Sequence, residues 1–226
     1  MNAGFVLESE AVSYLEKYNI PYPEHGLASS VHDALKIADG IGYPVVLKIV
    51  SRQVPHKSDV GGVALNITTP EKLGKAYEEI IARVSKVVAE ATIDGVLVCH
   101  QEDEGIEVIV GGQEDPVLGP LIMFGMGGVY TEILNDVSFR ILPLERIDAE
   151  ELVREIQGFK VLTGFRGKPP CDLDRLIDLV MATARLITEN PWIHELDLNP
   201  VRIFEKGLKV LDVRTIGRLD TNGSQI

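Results

Sequence analysis

Residues suited to phosphoryl chemistry recur along this chain, beginning with Lys48. It interrupts the apolar run YPVVLKIVS, where a lone ammonium is costly to desolvate unless an anion answers it. On the two-residue period of a strand, Lys48 shares a face with Val46 and Val50. Two readings fit: a lysine snorkelling or salt-bridged at a strand end, or a ligand for phosphate. The stretch that follows, SRQVPHKSDVGG, brings His56, Lys57 and Ser58 close to Gly61 and Gly62, whose backbone amides can approach a phosphate closely. A polar surface loop with a Gly-Gly turn is the plainer alternative. A neutral imidazole on such a loop can also accept a phosphoryl group.

Glu107 repeats the Lys48 pattern with opposite charge, at the mouth of the strand-like run IEVIVGG. Its neighbours Glu102, Asp103 and Glu104 read as a solvated turn, with Glu102 within reach of a ribose hydroxyl. In HELDLNP, the oxygen-bearing Glu195, Asp197 and Asn199 alternate with Leu196 and Leu198, so they line one face of a strand while the leucines pack the other. Pro200 biases Asn199 toward an extended backbone. On the return strand Asp212 interrupts LKVLDVR and falls near Asn199 across a hairpin. Carboxylate, amide oxygen and nucleotide phosphates suit Mg²⁺, which takes one or two protein oxygens plus substrate phosphates. A half-exposed strand with a polar outer face fits the same residues. FGMGGVYTEILND carries Gly125, Gly127 and Gly128 after an apolar strand but lacks the spacing of a dinucleotide fingerprint, and no GxxxxGK[ST] occurs.

The elements that position these residues follow from periodicity. A helix from Glu8 to Asn19 stops before Pro21 and Pro23, and an extended linker follows. Ser30 caps a second helix that ends at Gly40 and Gly42. A buried strand from Pro44 to Val50, the loop Ser51 to Gly62 and the short strand VALNIT lead to a long helix, Glu71 to about Ala91. The strands GVLVCHQ, IEVIVGG, PVLGPLIMFGMGG and VSFRILPL come next, then helices at about Ala149–Gly158 and Asp172–Glu189. A closing hairpin, WIHELDLNPVRIF then LKVLDVR, turns at Glu205 to Gly207. TNGSQI reads as a frayed tail. Many adjacent strands flanked by helices give an α+β plan, with lobes at 1–93 and 94–226.

Composition narrows the class. The 226 residues are 45% apolar and carry a net charge of −12, which describes a folded protein rather than a disordered one. The acidity argues against a nucleic-acid partner, since affinity for a phosphate backbone comes from Lys and Arg. Two cysteines, Cys99 and Cys171, make neither a disulfide framework nor a zinc pattern. An acidic N-terminus and the lack of a long apolar run predict a cytoplasmic protein that does not enter a membrane.

Taken in order, YNIPYPEHGL, IGYPVVLKIVSRQVPHKSDVGGVALNI, EGIEVIVGGQEDPVLGPLIMFGMGGVYTEILNDVSFRILPL, LTGFRGKPPCDLDRL and ELDLNPVRIFEKGLKVLDVR resemble the ATP-grasp β subunit of ADP-forming acyl-CoA synthetases, with acetate–CoA ligase (ADP-forming) as the type reaction. The resemblance covers about residues 8 to 216. It implies an ATP-grasp fold with nucleotide bound between two lobes. It further implies that Lys48 binds ATP phosphates and that Gly61 and Gly62 belong to the phosphate loop. The backbone around Cys99 would face adenine, and Glu102 and Glu107 would sit on the ribose and phosphate side. Asn199 and Asp212 would hold Mg²⁺, and His56 would be a phosphorylated histidine on a shuttling loop. The cofactors implied are ATP/ADP and Mg²⁺, and the partner is a CoA-binding α subunit in an α₂β₂-type complex. Competing readings are a succinate–CoA ligase-like β subunit, for which the HKSD loop differs, a free-standing ATP-grasp ligase, and a non-catalytic nucleotide-binding regulatory subunit.

Overall fold

The computed structural model describes residues 3–128 and 136–218. In chain order the elements are β1 (Ala3–Val6), α1 (Glu8–Lys17), β2 (His25–Ala28), α2 (Val31–Ile41), β3 (Val45–Val50), β4 (Val63–Ile67), α3 (Pro70–Val87), β5 (Gly95–His100) and β6 (Ile106–Asp115). They continue with β7 (Gly119–Met126), β8 (Val137–Ile141), α4 (Arg146–Glu155), α5 (Phe159–Leu162), α6 (Leu173–Glu189), β9 (Ile193–Ile203), β10 (Leu208–Val210) and β11 (Val213–Arg218). The chain divides into a small unit, Pro23–Asp103, and a large unit, Met1–Tyr22 with Glu104–Ile226.

The small unit is a four-stranded antiparallel sheet in the order β2-β5-β3-β4. Val45, Leu47 and Ile49 of β3 pack with Val96 and Val98 of β5 into one core with α2 and α3. The sequence dictates both helices locally. Ser30 accepts a hydrogen bond from the Asp33 amide at 3.1 Å, and Thr69, followed by Pro70, accepts one from Lys72 at 3.3 Å. Such caps are worth about 1 kcal/mol. The α3 stripe Leu73, Tyr77, Ile80 and Val84 is buried, and each such side chain gains roughly 1.5–3 kcal/mol on leaving water, so packing rather than capping holds the helix.

In the large unit the described strands form a seven-stranded antiparallel sheet, β1-β11-β9-β6-β7-β8, with β10 also paired to β9. One face packs against α6, where Ile187 lies so close to Gly112 that an added Cβ would sit 2.2 Å from it. The opposite face carries the odd-numbered residues of β6 and is open over the cavity described below.

The structure differs from the sequence expectations in instructive places. The expected division at 93/94 moves to 22/23 and 103/104, because β5 hydrogen-bonds between β2 and β3 while β1 pairs with β11. Strands β1 and β2 had no sequence signal, being four residues each, and β2 lies where a linker was expected. The return strand of the closing hairpin splits into β10 and β11. Pro200 has no N–H for the ladder, and the Leu211 amide turns to the Pro200 carbonyl instead, at 2.8 Å. Most of VYTEILND after the glycine turn, residues 129–135, and the whole of TNGSQI lie outside the described residues. Among the described residues no helix is long and apolar enough to cross a membrane.

Candidate active site

Lys48 sits in the middle of β3, opposite Val63 of β4 and Leu97 of β5. Its side chain leaves the sheet on the face away from the helical core, and the residue is only 7% exposed. That central position does not match a lysine snorkelling at a strand end. Cys99 pairs with Val46 and with His25 in the central strand and is 2% exposed.

The loop between β3 and β4 is pegged at both ends. Val54 is buried in the small unit's core, and its amide donates to the Ser51 carbonyl at 3.2 Å. At the other end Gly61 adopts φ +66°, and the Gly62 carbonyl accepts from the Ile49 amide at 2.8 Å. Arg83 of α3 adds a bond to the Gly61 carbonyl at 3.0 Å. Between these pegs His56 is exposed. The expectation that the Gly61 and Gly62 amides face a phosphate is corrected: they donate to the Ser58 and Lys57 carbonyls at 3.0 and 2.7 Å. Their role is to close the loop. Gly62 has no room for more, since a Cβ there would lie 2.6 Å from Ile49 and 3.0 Å from the Lys57 carbonyl.

The main chain around Cys99 is also engaged differently from the expectation. Cys99 lies in register with both flanking strands, and the next two amides, of His100 and Gln101, donate to the carbonyls of Glu24 and Pro44 at 2.8 and 3.0 Å. The chain leaves the sheet only after Gln101, whose side chain clasps Asn66 through bonds of 2.6 and 2.8 Å. Glu102 follows, its side chain 17% exposed and its carboxylate 3.6 Å from His100 Nδ1, while Asp103 and Glu104 are exposed.

In the large unit the open face holds a cavity of about 280 Å³. Ile109, Leu121, Met123 and Phe139 form its apolar side, and Glu195, Asp197, Asn199 and Arg214 its polar side. A β-bulge shapes this wall. Val108 and Val110 of β6 pair with Val201 and Leu198 of β9, so Asn199 and Pro200 together oppose Ile109. The extra residue shifts the alternation, so Arg202 shares a face with Asp197 and Glu195 despite its even number. Asn199 is brought beside Asp212: its amide donates to the Asp212 carbonyl at 3.1 Å, at the break between β10 and β11. Among the described residues no group of three or more His, Cys, Asp or Glu could hold a metal ion. The Asn199–Asp212 pair, one carboxylate and one amide oxygen, suits an ion that arrives with substrate phosphates.

Glu107 is positioned by a partner that sequence reasoning missed. Its Oε1 accepts from Arg202 Nη2 at 2.5 Å directly across β6 and β9, and its carbonyl accepts from the Gly127 amide at 2.8 Å. A second missed pair lies further along the same face, where Arg214 donates to Glu195 Oε1. Strand alternation alone cannot find these arginines, because the bulge and the split return strand set their register.

Fold and motif order together define an ATP-grasp domain, and the chain belongs to that family, whose pattern matches residues 2–216. Within it the chain is 48% identical over 215 residues to the acetate–CoA ligase (ADP-forming) I of Archaeoglobus fulgidus, covering 95% of this chain but 31% of that protein. It is 43% identical to the acetate–CoA ligase (ADP-forming) II subunit beta of Pyrococcus furiosus, covering 93% of this chain and 91% of that subunit. The chain thus spans about a third of one relative and most of the other. Among solved structures, the dinucleotide-forming acetyl-coenzyme A synthetase 1 of Ca. Korarchaeum cryptofilum, with coenzyme A, Ca-AMPCP and HgCl+, is similar with a TM-score of 0.93 at 46% identity, covering 95% and 94% of the two chains. In another structure of that protein, with coenzyme A and Mg-AMPPCP, a phosphohistidine segment points towards the nucleotide binding site; its TM-score is 0.83 at 43% identity, covering 95% and 93%.

Proposed function

We propose that this chain is the nucleotide-handling β part of an ADP-forming acyl-CoA ligase, catalysing one half of acyl-CoA + ADP + phosphate ⇌ carboxylic acid + ATP + CoA. The observation that carries the reading is His56, exposed on a loop pegged at Val54 and Gly62 directly after the strand that buries Lys48. Likeness to a synthetase with a phosphohistidine segment supports it.

Each side chain has a part. The Lys48 ammonium binds ATP phosphates, where burial strengthens its attraction to them. Asn199 and Asp212 are the oxygen donors for Mg²⁺, which when bound neutralises phosphate charge. Glu102 and Glu107 face the ribose and phosphate side, and Arg202 holds the Glu107 carboxylate in place. Adenine meets the backbone that follows Gln101 rather than Cys99 itself. A neutral His56 ring nitrogen takes the phosphoryl group in line: the N–P bond forms as the bond from phosphorus to the ADP oxygen breaks. Reversal makes ATP.

A CoA-binding α region completes the reaction, on a separate chain or fused to this one, in an α₂β₂-type assembly within the cytoplasm. Its name in the relatives makes acetate the first acid to test. Terminally labelled ATP should leave an acid-labile, base-stable label on the complex, and His56→Ala should remove it. An active complex that never carries label on His56 sinks the shuttle.

A further inference from the structure

The polar wall of the large unit's cavity holds an arginine that the roles above leave unused. Across the open face, residues fall into rows set by the strand register. Glu107 and Arg202 make the first; Ile109, Asn199 and Asp212 the second; Gly111, Asp197 and Arg214 the third; Gln113, Glu195 and Ile216 the fourth. Successive rows lie about 7 Å apart, the advance of two strand residues. Arg214 stands in the third row opposite Asp197 and reaches back to Glu195 in the fourth. The third row is floored by Gly111, where an added Cβ would have only neighbours at 3.3 Å or more, Leu196 O, Met123 Cε and Asp197 Oδ1. The cavity occupies this region, beyond the Asn199–Asp212 pair on the side away from Glu107.

We propose that Arg214 is the guanidinium that contacts the transferring phosphoryl group, exchanging Glu195 for phosphate oxygens once nucleotide is in place. The inference rests on the ligase reading above. With Glu107 of the first row on the ribose side and Asn199 and Asp212 of the second as the oxygens that would hold the ion, a phosphate chain running along the rows would bring its terminal phosphorus to the third. A guanidinium matches phosphate oxygens with paired N–H donors, an arrangement a lysine cannot reproduce. As the bond from phosphorus to the ADP oxygen breaks and the bond to the accepting nitrogen forms, the three equatorial oxygens that travel with phosphorus keep their charge, and Arg214 meets it there. Glu195 holds the guanidinium in the nucleotide-free state, and Asp197, opposite Arg214, adds a second carboxylate to the wall.

Calorimetric titration of the full chain, in Mg²⁺, with ADP and with a non-hydrolysable ATP analogue tests this. Arg214→Ala should weaken the analogue by about tenfold or more and ADP by less than about twofold. Arg214→Lys should recover part of the difference. Glu195→Gln, which keeps the side-chain shape, should tighten the analogue relative to ADP. Equal losses for both nucleotides in Arg214→Ala, or a Glu195→Gln variant without any ATP-selective change, overturn the assignment while leaving the ligase reading intact. Should Arg214→Ala fail to fold, the Glu195→Gln comparison decides alone. A wild-type chain that binds neither nucleotide overturns both.

Discussion

Lys48 and Asn199 sit on strands of opposite character. In the small unit β3 is buried along its whole length, and a single ammonium breaks an otherwise apolar run. In the large unit β9 alternates buried leucines with polar residues, of which Arg202 meets Glu107, Glu195 meets Arg214, Asp197 lies opposite Arg214 and Asn199 lies beside Asp212. The small unit sets one cation in a buried apolar strand, whereas the open face of the large unit sets arginines against glutamates across neighbouring strands. A chain of net charge −12 can therefore meet a polyanion with few cations, provided an ion carries the rest of the counter-charge. The contrast also predicts that single substitutions are decisive in the small unit and graded in the large one.

The sharpest way to break that contrast is Lys48→Met. Phosphohistidine formation from ATP should fall by about 10²–10³-fold, while the thermal midpoint stays well above the assay temperature. A rate measured by rapid quench, set beside a melt, separates the two effects. A loss of stability with intact rate would make Lys48 structural. Asp212→Asn should act more gently, raising the Mg²⁺ concentration for half-maximal activity by about 10- to 100-fold. Unchanged Mg²⁺ dependence removes Asp212 from the metal site.

A smaller effect belongs to the loop pegs. Gly62→Ala forces a Cβ against Ile49 and the Lys57 carbonyl and should cost about 1–3 kcal/mol, read by denaturant titration. His56 labelling should slow with it. Slower labelling with unchanged stability would mean that the loop, not the sheet beneath it, took the strain. The smallest effect lies at the turn between β6 and β7. Amide bonds from Leu118 and Val117 hold the Asp115 carboxyl below its usual range. A depressed carboxyl stabilises the fold above its unfolded pKa, about 3.9, and that contribution is lost as pH falls through the lower folded value. Asp115→Asn should therefore lower stability slightly at pH 6–8 and flatten the acid limb of the profile below about pH 4, so that the two proteins converge in acid.

Much of this was legible in the residues. The burial of Lys48, the exposed His56 loop, the cap at Ser30, and the polar alternation in HELDLNP all follow from periods of a few residues. Other features were not. The unit boundary moved because β5 pairs on both sides, and pairing partners can lie far apart in sequence. The Gly61–Gly62 amides looked available until the loop's own carbonyls claimed them. Arg202 and Arg214 carried no signal, because a bulge at Asn199–Pro200 and a break before Val213 decide which way they face.

By itself, then, the amino-acid order determined which chemical groups exist and on what kind of element each rides, since helix caps, strand alternation and glycine turns are local preferences of a few neighbouring residues. Tertiary structure alone decided which groups meet. Asn199 reaches Asp212, and Glu107 reaches Arg202, through strand registers that depend on long-range pairing, where one extra residue turns a side chain to the opposite face of the sheet.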